Sequence, residues 1–70
     1  MITKEQIENS FTYHKPEGTQ QDRYVLLRNN AKLLANDIIN YTPSSREQSL
    51  AITKLEEAIM WANKAIACNE

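Results

Sequence analysis

The chain has 70 residues, a formal net charge of −1 and a sequence pI near 5.8. That size allows one domain with a marginal core, and the charge supplies no field to draw the chain onto DNA or an anionic membrane. A lone Cys68 excludes an internal disulfide, Cys68 and His14 are too few for a structural zinc, and no apolar run reaches the roughly 20 residues of a membrane span.

Oligomerisation is the remaining way to stabilise so short a chain. Lys4, Glu5 and Glu8 interrupt the start, so no signal peptide is expected, and a cytoplasmic protein in a reducing compartment is. Residues 1–10 read as a short helical segment capped by Thr3, with Gln6 completing a capping box. About two turns are too few to be stable alone. Residues 11–19 read as an ordered extended arm: Pro16 pushes Lys15 away from helical geometry, and Gly18 permits a turn.

Residues 20–41 form the second helix, with Thr19 as the expected cap. At about 100° per residue, Tyr24, Leu27, Ala31, Leu34, Ile38 and Tyr41 share one stripe. Val25, Arg28, Lys32, Ala35 and Ile39 share a second, roughly opposite stripe. Pro43 disfavours helix at Thr42 and ends the run. The third helix is expected over residues 45–68, begun by Ser44 with Glu47 or by Ser45 with Gln48. Its inner stripe is Ala51, Ile52, Leu55, Ala58, Ile59, Ala62 and Ile66, while Leu50, Trp61 and Cys68 lie on another face. So short a loop makes the long helices an antiparallel hairpin. The expected fold is therefore all-α: one domain with a short N-terminal helix, an arm and a long hairpin. The second apolar face of each long helix calls for a homo-oligomer.

Catalysis is not expected. Glu56 and Glu57 are adjacent and point about 100° apart, so they do not face each other. His14 and Cys68 stand far apart in sequence without a third orienting residue. Gly18 is the only glycine, so no glycine loop can cradle a phosphate. No cofactor or metal is expected.

Binding is better supported. Arg28 and Lys32 lie four apart on one face, and neither Asp22 nor Asp37 shares it. An oligomer burying that face would strip water from both cations, so a partner's carboxylate or a ligand phosphate must compensate. The alternative is that both stems lie on an apolar rim with their heads in water. In the arm, Tyr13 offers a flat ring, with donors on His14 and Lys15 beside it, which suits a nucleobase and its phosphate. The plainer role for Phe11 and Tyr13 is to pin the arm. Trp61 suits a subunit-interface anchor.

Three stretches carry a resemblance: Phe11 to Pro16; Tyr24 to Arg28 with Ala31 to Ala35; and Pro43 to Asn63, with its Ser45-Arg46-Glu47 and Met60-Trp61-Ala62-Asn63 runs. Together they resemble the phage anti-CBASS cyclic-nucleotide sponges, whose hairpin is shared with a Thoeris anti-defence sponge. The resemblance implies binding, without cleavage, of cyclic oligonucleotides made by bacterial immune cyclases, in the cytoplasm of the infected cell. It implies hexamers that hold cyclic dinucleotides such as cGAMP between paired protomers. The base-stacking tyrosine falls on Tyr13 and the phosphate-binding cation on Arg28, with Lys32, His14 and Asn30 nominated by proximity. A second site, for cyclic trinucleotides, would use the backbone at Thr12 and a basic residue where this chain has Cys68. The main rival is a helical adaptor or regulatory protein that binds another polypeptide through its apolar faces. A phosphodiesterase lacks the necessary groups, and a DNA reader fits neither the hairpin nor the charge.

Overall fold

The computed structural model describes residues 2–70. It contains α1 (Lys4–Phe11), α2 (Gln20–Tyr41) and α3 (Arg46–Asn69), with no strand among the described residues. Local chemistry sets most of the boundaries. At α1 both halves of the capping box are made: Gln6 N donates to Thr3 Oγ1 at 3.1 Å, and Thr3 N donates to Gln6 Oε1 at 2.8 Å. At α3, Ser45 rather than Ser44 is the cap, and its Oγ accepts from Gln48 N at 3.1 Å. The Gln48 side chain does not return to complete a box. Its Nε2 instead donates to Thr42 O and Thr42 Oγ1, each at 3.1 Å, tying the interhelical loop to α3. Ser45→Ala is expected to cost about 1 kcal/mol, read as a lowered thermal midpoint at fixed protein concentration.

Thr19 is not the side-chain cap the sequence suggested. Its backbone, at φ −88° and ψ 3°, lies outside the extended region that lets a hydroxyl reach the first helical amides. Thr19 Oγ1 accepts from Arg23 Nε at 3.2 Å instead. Gln20 closes this end: its N donates to Glu17 O at 3.0 Å, and its Oε1 accepts from Glu17 N at 3.0 Å. Gln20 is buried, and Gly18 makes the turn before it with φ 56°.

The long helices pack antiparallel. Tyr24, Leu27, Ala31, Ala35 and Ile38 are half-buried on α2, and Ile52, Leu55, Ile59, Ala62 and Ile66 are half-buried on α3. Two expected inner residues of α2 are not inside, since Leu34 is 49% exposed and Tyr41 lies open. The helical period allows either position 34 or 35 to follow Ala31 inward, and the smaller Ala35 is the one that faces α3. Ala51 and Ala58 on α3 are likewise exposed.

Among the described residues no apolar side chain is buried. The accessible surface is 5970 Å², against about 4,500 Å² for a folded monomer of this mass. The shape is correspondingly flat, 44 × 31 × 14 Å.

Candidate functional site

Two concave regions contain Arg28, Lys32 and Tyr13, while Thr12 and His14 border a third hollow beside α1. The first lies on one side of the hairpin. Arg28 and Lys32 on α2 border a cleft of about 330 Å³, floored by Ala31, Ala35, Ile52, Leu55 and Ile59. Glu56 on α3 borders the same cleft. Neither cation is ion-paired among the described residues, and Glu57 turns away to Lys54 at 3.5 Å. The cleft therefore offers two positive groups, one carboxylate and an apolar floor to whatever enters it. Asn30 does not join them: two residues beyond Arg28, it is turned about 200° round α2 and is exposed.

The second region lies where the arm crosses the ends of α2 and α3. Tyr13, His14 and Lys15 line a hollow of about 220 Å³ with Gln20 and Glu70. The Tyr13 side chain is 83% exposed. Thr12 has extended backbone at the end of α1, and its Oγ1 donates to Glu8 O at 2.5 Å. Arg28 lies eight residues along α2 from Gln20, roughly 12 Å at the helical rise. The two regions are separate, with Arg28 lining the first and Tyr13 the second.

His14 and Cys68 are distant in sequence, but the antiparallel return of α3 brings Cys68 Sγ to 4.0 Å from His14 Nε2. They do not form a nucleophile and base. His14 Nε2 lies 2.7 Å from the carbonyl oxygen of Asn9, which only accepts, so Nε2 carries the proton and has no lone pair for the thiol. Cys68 is half-buried at this junction. On the outer side of α3, Trp61 is 56% exposed, with Lys64 Nζ 5.8 Å from its ring centroid.

Arg23 and Glu70 join the start of α2 to the end of α3 through a two-pronged ion pair. Hydrogen bonds from Arg23 hold the Glu70 carboxyl below the usual carboxylate range, and the same bonds raise the Arg23 guanidinium. A carboxyl depressed in the folded state contributes stability above its unfolded pKa and loses it as pH falls through the folded one. The contribution is small because both side chains remain well exposed. In an NMR titration Glu70 is expected to protonate below the ordinary carboxylate range, and Arg23→Gln to bring it back up.

Sequence reasoning did not foresee Asn9, Gln20, the Arg23–Glu70 pair or the place of Glu56. Only Glu56 had a signal: it sits next to Leu55 and three before Ile59, both on the inner stripe. No group of three or more potential metal ligands occurs among the described residues, and no helix is long and apolar enough to cross a membrane.

The family model described as Acb2/Tad1, hairpin domain, matches residues 3–67. No curated protein and no solved structure gives a significant match.

Proposed function

Because the chain belongs to the Acb2/Tad1 hairpin family of anti-CBASS and anti-Thoeris sponges, we propose that it sequesters cyclic oligonucleotide second messengers without cleaving them. Cyclic dinucleotides such as cGAMP are its principal ligands. The observation that carries this reading is the family match over nearly the whole chain. The cleft adds chemical support. Two cations over an apolar floor suit a ligand with phosphates and flat rings. Glu56 faces the cleft while Glu57 pairs with Lys54, so the two carboxylates do not converge on one point as an acid–base pair would.

The site is shared between protomers. Tyr13 of one copy stacks on a base, and Arg28 of another, with Lys32 beside it, meets the phosphates. The lining of two different hollows by Arg28 and Tyr13 in a single copy supports this arrangement. The assembly is a homohexamer, acting in the cytoplasm of a phage-infected bacterium. His14 supports the arm through Nε2, which the Asn9 carbonyl engages, and leaves Nδ1 to face a ligand. Cyclic trinucleotides bind weakly or not at all, because the half-buried Cys68 stands where a cation would be needed.

Calorimetric titration against a panel of cyclic di- and trinucleotides tests the reading, followed by denaturation and recovery of the ligand. Intact ligand supports a sponge, and linear product moves the chain to the enzymes. The exposed apolar faces also suit an adaptor. That reading predicts a stable complex with a polypeptide and no nucleotide affinity.

A further inference from the structure

The arm that carries Tyr13 has no regular secondary structure, yet it is tied down on both sides of the ring. Downstream, Gln20 clasps Glu17 through two hydrogen bonds of 3.0 Å. On the other side the tie runs through Asn9 of α1. Asn9 Nδ2 donates to Cys68 O at 2.9 Å, and the Asn9 carbonyl accepts from His14 Nε2 at 2.7 Å. Cys68 Sγ completes the cluster, 3.9 Å from the Asn9 carbonyl and 4.0 Å from His14 Nε2. Three segments thus meet at one residue: α1, the arm and the last turn of α3.

The chemistry at this junction is economical. Cys68 O belongs to the last turn of α3, where carbonyls have no partner within the helix, so the Asn9 amide satisfies an otherwise free acceptor. No side chain of α1 is fully buried and Ile7 is 51% exposed, so apolar packing holds α1 only loosely and the tie carries more of its docking. The Tyr13 hydroxyl forms no hydrogen bond among the described residues, and the ring is largely in water. Its placement depends on the neighbouring residue His14, which the Asn9 backbone carbonyl holds to α1, while the Asn9 side chain fastens α1, and the arm with it, to the end of α3; replacing that side chain keeps the first contact and removes the second.

We propose that Asn9 is the positioning residue for Tyr13, holding the arm against the end of α3 so that the ring is presented ready to stack. The ligand part of this inference rests on the sponge reading; the part concerning the free protein does not. If loss of the tie leaves the arm in the held state only about a tenth of the time, affinity falls about tenfold, because binding draws only on the competent fraction.

Two measurements on the full chain test the proposal. In the unliganded protein, the ¹⁵N heteronuclear NOE at the Tyr13 and His14 amides is expected to match that of α2. In Asn9→Ala the arm values drop while those of α2 and α3 hold. Asn9→Asp, nearly isosteric but without the donor, behaves the same way and serves as the second variant should alanine disturb α1. Arm values unchanged in both variants overturn the proposal. The second measurement is a double-mutant cycle with 3′,3′-cGAMP as the probe. Asn9→Ala is expected to weaken binding about tenfold in the wild-type background and less than about twofold in Tyr13→Ala. An equal loss in both backgrounds means that Asn9 supports the fold in general, and overturns the positioning role. A wild-type protein that binds no cyclic dinucleotide defeats the sponge reading alone, and the NOE values still decide the role of Asn9.

Discussion

Tyr13→Ala is expected to weaken cyclic-dinucleotide binding by about 1–3 kcal/mol, the range for removing a base-stacking ring, or roughly 5- to 150-fold in Kd. The ring is exposed in the single chain, so its removal leaves no cavity and the fold should not change. Circular dichroism of the variant should therefore match the wild type, and the whole loss belongs to binding. Arg28→Ala is expected to cost a similar amount and to flatten the dependence of affinity on salt, because a charge-assisted contact to phosphate is lost. Lys32→Ala has the smaller effect, since an ammonium cannot make the bidentate contact of a guanidinium. Glu56→Gln is expected to move affinity the other way by removing a carboxylate from the cleft proposed to receive the phosphates. Calorimetry at two salt concentrations reads all four variants. Wild-type affinity in both Tyr13→Ala and Arg28→Ala would place the pocket elsewhere.

The unliganded protein is expected to be oligomeric, and Leu50→Glu or Trp61→Glu to dissociate or unfold it. A single copy exposes about 1,500 Å² more surface than a folded monomer of its mass should, whereas one partner of a standard interface buries about 800 Å². One or two such interfaces would remove the excess. Without them the hairpin has no fully buried apolar side chain to offset the conformational entropy of ordering the chain. Leu50 and Trp61 are large apolar residues left open on α3. A carboxylate at either position would have to be desolvated in an interface, at a cost of several kcal/mol. Light scattering coupled to gel filtration measures the mass. A well-folded 8.1 kDa species at micromolar concentration would contradict the assembly.

The sequence by itself determined where the helices run and that the two cations share a face, because those properties are local; it set that face roughly opposite the hairpin seam, whereas Arg28 and Lys32 flank the seam beside Ala31 and Ala35. A hydroxyl reaching an amide three residues on marks the starts of α1 and α3 at Thr3 and Ser45, and Pro43 forces extended backbone at Thr42, observed at φ −128° and ψ 151°. The four-residue spacing of Arg28 and Lys32 places both on one cleft. The tertiary structure alone decided what those residues face. Helical period could not choose between Leu34 and Ala35, since both lie within one turn of Ala31; the close approach of α3 did. Neither Glu56 in the cleft nor the meeting of Asn9, His14 and Cys68 could be read from spacing, because each joins segments separated in sequence whose alignment depends on how the hairpin closes. Capping and periodicity act within a turn or two of helix, while the register of one helix on another depends on side chains from the whole length of both.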